Sequence, residues 1–454
     1  MLTEKRAFIF IMIISIVILI IPQTIRQVHF DNLVIGEEPY FHLKNAQDIS
    51  EGIHSNDAYA HIIYFFGKYS NIPTAANLIP FILGILSTVI LYLILKEYLS
   101  LNNRILALIF WIISPIFIFS YSVPSPFSVI VLINMLGVYI LIKDKVSWLS
   151  ILIIPWIVFF GRLNILITLI FIVLFAITHK NKSKVCLANI IIIFALTLYF
   201  KLYMYQLPFK MHSGQIFQEN IASLGALFGF NIFALLLAAI GIIITWKKKK
   251  QDKTVYLAII VVSLFSIFSN PGFKIFTNIF VSMFAAFGFI SLLRMNWDLK
   301  LIKYLTILIL VIGIVFTTVT HVYRLSFAEP TKITAESYEY LRSTSGEIVL
   351  SHKDNSYWIE YFSGKTAFIS PFENNLTKEN ETKTIFMSRD EKKVIEFLNM
   401  TNISYIMVDG KTRQLMKNEN NVIGLEFLME NSGFFKKLTR IGDNTVWEYK
   451  KSFT

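Results

Sequence analysis

Through its first 320 residues the chain alternates long apolar runs with short polar breaks, and then its pattern changes. A helix that crosses a bilayer needs about 20 mostly apolar residues. By that criterion, loosely applied, the runs predict about eleven spans: 7–22, 75–95, 103–121, 126–142, 146–160, 162–178, 185–203, 223–245, 254–269, 275–293 and 301–320. From residue 321 onward, helix and strand signals alternate. Helices are predicted over 334–341 and 389–398, and strands over 347–350 and 405–408. Segments 434–440 and 445–449 flank Gly442-Asp443, a turn signal, and read as a terminal hairpin. The polar stretch 374–383 reads as a loop. About 130 residues suffice for a separate core. The expected fold class is therefore an α-helical polytopic membrane domain, residues 1–320, followed by a small extracytoplasmic α/β domain, residues 321–454.

Composition agrees with this reading. Of 454 residues 55% are hydrophobic, 41 are Phe, and the mean hydropathy is +0.59. That is too apolar for a soluble globule. The single cysteine, Cys186, excludes a disulfide framework within the chain. The first run follows Lys5 and Arg6 and resembles a signal peptide. No small-residue cleavage site follows it, so it reads as a retained anchor.

The net charge of +12 is unevenly placed. From His321 to the end, 18 basic residues balance 18 acidic ones, so the excess belongs to the membrane part. With the N-terminus in the cytoplasm, the inside segments carry 17 basic residues and the outside loops seven. This is the positive-inside pattern of a plasma-membrane protein, and it leaves the C-terminal domain extracytoplasmic. Fusing 146–178 into one kinked helix would reverse all that follows and put the run Lys247 to Lys250 outside, against the charge pattern. Topology accounts for the charge, and no nucleic-acid partner is implied.

Three outside segments follow from this topology: the loop 23–74, the stretch 203–222 and the C-terminal domain. The first carries GEEPYFHLK, residues 36–44. Pro39 suits a first helical turn, and Glu38 and His42, four apart, would then share a face. Glu37 and Glu38 beside a membrane can hold a divalent cation or move a proton; the plainer reading is that they cap a helix. Four of the eight histidines lie in this loop, without the spacing of a structural zinc site.

An acid followed by Pro-Tyr-aromatic-His-Leu-basic after the first span resembles the first external loop of archaeal oligosaccharyltransferase catalytic subunits, polyprenyl-phosphate-dependent glycosyltransferases of the GT-C type. The resemblance implies that Glu38, standing where that family has Asp, binds a catalytic divalent metal (Mn or Mg) together with His42, or acts as base, with Glu37 beside it. SHKDNSYWI, residues 351–359, is similar to the family's Trp-Trp-Asp-Tyr-Gly region. On that likeness Asp354, Asn355, Tyr357 and Trp358 would bind the acceptor, although His352 and Lys353 replace both tryptophans. Glu219 matches the acid of an external-loop Ser/Thr-x-x-Glu motif, with Ile216 where Ser or Thr would stand. Lys274, and with it Arg162, would face the donor phosphate. Each also has a plainer role: Asp354 a helix cap, Glu219 a solvated loop acid, Arg162 and Lys274 snorkelling cations.

One departure matters. The family's Asp-x-Asp loop between spans three and four here reads SYSVPSPFS, residues 120–128, with no acid. The expected activity is transfer of a sugar or glycan from a polyprenyl (dolichyl) phosphate carrier to a protein or glycan acceptor, at a site between the first external loop, the loop before span eight and the C-terminal domain. Two alternatives stay open: a metal-independent transferase using a polyprenyl monophosphate sugar, and a non-catalytic relative. A transporter is disfavoured because the spans are almost free of charge. Sequons at Asn375, Asn380, Asn399 and Asn402 lie on the outside face.

Overall fold

The computed structural model describes residues 3–31, 33–200, 220–248, 271–371, 375–417 and 424–450. The span expected at 254–269 and the acid Glu219, with Ile216, lie outside the described residues. The chain divides into two compact units. One comprises Met1–Asn32 and His54–Phe327, the other Leu33–Ile53 and Ala328–Thr454.

The first unit is helical and apolar. Among the described residues, five helices are long and apolar enough to cross a membrane: Glu4–Phe30, Ile72–Tyr98, Lys180–Tyr199, Lys274–Arg294 and Lys300–Ser326. A further apolar pair of helices, Leu101–Ile112 and Pro115–Ser122, meets at a 59° bend, the geometry of a broken span or a re-entrant loop. The break is local chemistry. Pro115 has no N–H to continue the first helix, and the Ser114 hydroxyl caps the second by accepting from the Phe117 N–H at 3.1 Å. Pro126–Ile142, Asn164–Thr178 and Ile232–Lys247 are shorter apolar helices. The expected eleven full spans are not reached among the described residues. Residues 146–160 in particular form no regular span: short 3₁₀ turns at Asp144–Leu149 and Ile154–Phe160 flank one turn of α-helix, Ser150–Ile153. Pro155 and Gly161, the latter at φ +103°, interrupt the run. Apolar composition sets burial in lipid or protein, but helix continuity depends on these breakers.

Helices Ile232–Lys248 and Pro271–Arg294 touch backbone to backbone. A Cβ on Gly241 would lie 2.0 Å from the Phe284 carbonyl oxygen, and one on Gly288 equally close to that of Leu237. Small residues at such a seam let two membrane helices approach fully.

The second unit is a five-stranded sheet in the order β2-β1-β3-β5-β4, with helices packed against it. Strands β1 (Ile348–Leu350), β2 (Thr366–Ala367) and β3 (Ile403–Val408) run parallel, while β5 (Asn444–Tyr449) pairs antiparallel with both β3 and β4 (Phe435–Ile441). The hairpin β4–β5 turns at Gly442, φ +60°, as its turn residues predict. Strand β3 is buried almost throughout and alternates little, as expected of a central strand covered on both faces. The core gathers Leu350, Phe386, Leu398, Ile406, Val408 and Trp447.

Residues 374–383 are not a loop over their described part. Helix Leu376–Met387 begins there, its N-terminus capped by the Asn375 side chain, which accepts from the Lys378 N–H at 3.1 Å. The first turns are solvated. Thr382, Ile385 and Phe386 are buried, and the last two enter the core. The apolar anchors lie just beyond the polar stretch, so its composition alone concealed the helix.

Candidate active site

The site lies within the second unit, where the segment 33–53 meets the C-terminal ends of parallel strands β1 and β3. Gly36, at φ +89°, makes the turn that leads into helix Glu38–Ser50, and its N–H donates to the Glu329 carbonyl at 2.8 Å. Pro39 occupies the first turn as expected. The helix buries Pro39, Tyr40, His42, Leu43 and Ala46, one face at helical spacing. Its aromatics seat it on the segment after β1. The Tyr40 ring lies 5.0 Å from those of Tyr361 and Phe362, and Phe41 lies 5.3 Å from Tyr357. The Trp358 indole N–H donates to the Gly36 carbonyl at 3.1 Å. The two stretches singled out in the sequence, 36–44 and 351–359, are therefore in contact.

After β1 the chain makes a 3₁₀ turn, Lys353–Asn355. His352 caps it, Nδ1 accepting the Asp354 N–H at 3.1 Å, so Asp354 is not itself the cap of this turn. An Nδ1 that accepts this bond carries no proton, and burial holds the His352 pKa below its ordinary value, the Asp354 carboxylate opposing and Lys411 assisting. Asn355 is fully buried and donates to Ser351 Oγ at 2.9 Å. Tyr357 and Trp358 are buried as well. Burial pushes the Tyr357 phenol up, the hydrogen bond with Ser370 opposing and the nearby acids Glu360, Glu38 and Glu37 adding to it. Of the four expected acceptor-binding residues, Asp354 keeps the most side-chain exposure, and the other three build the wall behind it.

After β3, Asp409 caps helix Gly410–Met416 by accepting from the Thr412 N–H at 2.8 Å. Thr412 in turn accepts from the His352 N–H at 3.2 Å, which ties the two loops together. Lys411, in the first turn, places Nζ 3.6 Å from Glu37 Oε2 and 3.6 Å from Asp354 Oδ2, and 5.3 Å from the Trp358 ring centroid. One ammonium thus joins the acid before the helix to the acid after β1. Sequence reasoning missed Lys411. The signal was there in Asp409-Gly410-Lys411, directly after a strand. It needed the knowledge that β1 and β3 are parallel neighbours, because side chains at the carboxyl ends of such strands converge.

Glu38 faces another way. Its Oε1 is buried, makes no hydrogen bond among the described residues, and lies 4.0 Å from Nε2 of the fully buried His42. The shared face foreseen for this pair is present. As a divalent-metal site it is incomplete. Among the described residues no group of three His, Cys, Asp or Glu side chains could hold a metal ion, whereas hard cations take six or more oxygens.

The remaining candidates belong to the first unit. Lys274 is buried in helix Pro271–Arg294, its ammonium donating to the Phe228 carbonyl at 3.1 Å. Arg162 opens helix Arg162–Thr178. In the acid-free stretch 120–128, Ser120, Ser122, Ser125 and Ser128 are all buried.

No family model matches the chain, and no curated protein matches it. Solved structures do. The fold is similar to that of the archaeal oligosaccharyltransferase AglB from Archaeoglobus fulgidus in complex with an inhibitory peptide and a dolichol-phosphate, at 10% identity and TM-score 0.56, over 99% of this chain and 75% of that one. It is similar to the Archaeoglobus fulgidus oligosaccharyltransferase in complex with Zn and sulfate, at 12% identity and TM-score 0.55, over 97% and 73% of the two chains. It is also similar to ArnT from Cupriavidus metallidurans bound to undecaprenyl phosphate, at 9% identity and TM-score 0.58, over 96% and 97%. With its apolar spanning helices, the chain is an integral membrane protein whose fold is that of AglB and ArnT.

Proposed function

We propose that the protein is a membrane glycosyltransferase that moves a sugar or glycan from a polyprenyl phosphate carrier to a protein or glycan acceptor. One observation carries the reading: a fold shared over nearly the whole chain with proteins solved holding dolichol-phosphate and undecaprenyl phosphate, with an acid pair after the first span built into the globular unit. In the reaction, a bond forms from the acceptor heteroatom to the sugar's anomeric carbon, and the bond from that carbon to the carrier's phosphate oxygen breaks. The acceptor's proton passes to a carboxylate.

Glu38 suits that proton transfer, because Oε1 has a lone pair free of any hydrogen-bond donor among the described residues. Glu37 and Asp354, joined through Lys411, orient the acceptor. By resemblance Lys274 is assigned to the donor phosphate and Glu219 to the acceptor, and Arg162 is assigned to the donor phosphate by its place at a membrane boundary. A cation near the leaving phosphate lowers the barrier by stabilising developing charge. The N-terminus is cytoplasmic and the globular unit extracytoplasmic, on the charge asymmetry of the loops.

Glu38 and His42 would supply two donors to a divalent ion such as Mn or Mg, and Glu219, outside the described residues, is a further acid the resemblance brings to this site; transfer that resists a chelator would favour the metal-independent alternative. The test is transfer from a polyprenyl-phosphate-linked sugar to a sequon peptide or glycan by the full chain in lipid. Glu38→Ala, still folded, should lose transfer; transfer unchanged from the parent would refute the assignment.

A further inference from the structure

We infer that Lys411 is a tethered cation standing where a divalent ion would otherwise bridge Glu37 and Asp354. The two carboxylates come from segments more than 300 residues apart, and each has an oxygen 3.6 Å from Lys411 Nζ. Two anions aimed at a shared point repel unless a cation lies between them. The neighbouring bases are otherwise engaged. His352 Nδ1 lies 3.6 Å from Asp354 Oδ2, but it accepts a backbone N–H and is neutral in that arrangement, and Lys353 is paired with Glu379. Lys411 is held in place from two sides. Its backbone sits in a helix capped by Asp409, and its ammonium lies near the face of Trp358. The Lys411 side chain keeps 41% of its surface exposed, so an ion from solvent could reach this point if the ammonium were absent.

A single charge on a protein stem gives the acids one fixed partner and no open coordination positions. The arrangement therefore accounts for a pair of acids around one ammonium without a complete metal donor set among the described residues. Lys411 is a positioning residue: it acts by holding Glu37 and Asp354. The consequence for catalysis rests on the transferase reading, but the binding test does not.

The experiment titrates Mn²⁺ into the detergent-solubilised full chain and follows the free-ion signal by electron paramagnetic resonance. The parent protein should bind Mn²⁺ no more tightly than Asp354→Asn, because the ammonium already satisfies the acids. Lys411→Met keeps the apolar stem on Trp358 and removes the charge. It should bind at least tenfold more tightly than the parent, with the gain cancelled in Lys411→Met/Asp354→Asn. Lys411→Arg should behave as the parent does. Two results would overturn the inference: parent binding that Asp354→Asn abolishes, or no gain on Lys411→Met. The first comparison needs no Lys411 variant, so it can overturn the inference even if Lys411→Met does not fold, and Lys411→Gln, which removes the same charge, then tests the expected gain. A protein that shows the expected binding pattern but no transfer would count against the proposed function and leave this inference standing.

Discussion

The Trp358 indole donates its N–H to the Gly36 carbonyl at 3.1 Å, across 322 residues of sequence. That bond and the aromatic contacts beside it make the segment after the first span part of the globular unit rather than a free loop. Trp358→Phe should leave the carbonyl without this donor and weaken the Lys411 contact, costing roughly 1–3 kcal/mol. Gly36→Ala forces an L-residue to φ +89°, at about 1–2 kcal/mol. Both should lower the thermal midpoint of the purified protein and expose the segment 33–53 to limited proteolysis.

The adjacent acids lie beside different partners, Glu38 beside His42 and Glu37 beside Lys411. Glu38→Gln should reduce turnover by about 10²–10⁴ if Glu38 takes the acceptor's proton. Glu37→Gln should act mainly on acceptor KM, because Glu37 lies beside Lys411, whereas Glu38 lies beside His42. Steady-state kinetics with varied acceptor separates the two. Equal losses of turnover in both variants would contradict this division.

Gly241 and Gly288 set how closely two apolar helices approach. At either position, alanine brings a methyl within 2.0 Å of a carbonyl oxygen on the other helix, so the backbones must part. Gly241→Ala should destabilise by about 1–3 kcal/mol, the usual cost of overpacking. Thermal aggregation in detergent would show the shift, and Gly→Ala at exposed Gly433 serves as the control.

His352 predicts an acid limit to stability. Burial holds its folded pKa below the ordinary 6.5, so the unfolded chain takes up the proton first as pH falls. The contribution is intact above about pH 6.5 and is lost progressively below it. Unfolding midpoints measured from pH 7.5 to 5 should fall, and His352→Asn, which can still accept the Asp354 N–H, should flatten that fall. An identical slope in the variant would remove His352 as its source.

Much of the architecture was legible from residue order. Lipid demands sustained apolar runs, so the helical membrane part could be read directly, whereas the placing of 33–53 with Ala328–Thr454 could not. The helix at 332–342, the strands β1 and β3 and the β4–β5 hairpin followed from local periodicity and turn residues. Glu37, Glu38 and His42 are singled out by a short local pattern and Asp354 by a family resemblance, and the structure brings their two stretches into contact. What local pattern could not supply were breaks and partners. Hydropathy did not foresee the broken helix at Ser114-Pro115 or the 3₁₀ turns before Gly161, because it averages over the residues that stop a helix. Composition hid helix Leu376–Met387, whose buried anchors lie at its far end. Only the folded chain, by setting β1 and β3 side by side and parallel, put Lys411 between Glu37 and Asp354. Strand order is decided by long-range packing, and distance along the sequence carries no record of it.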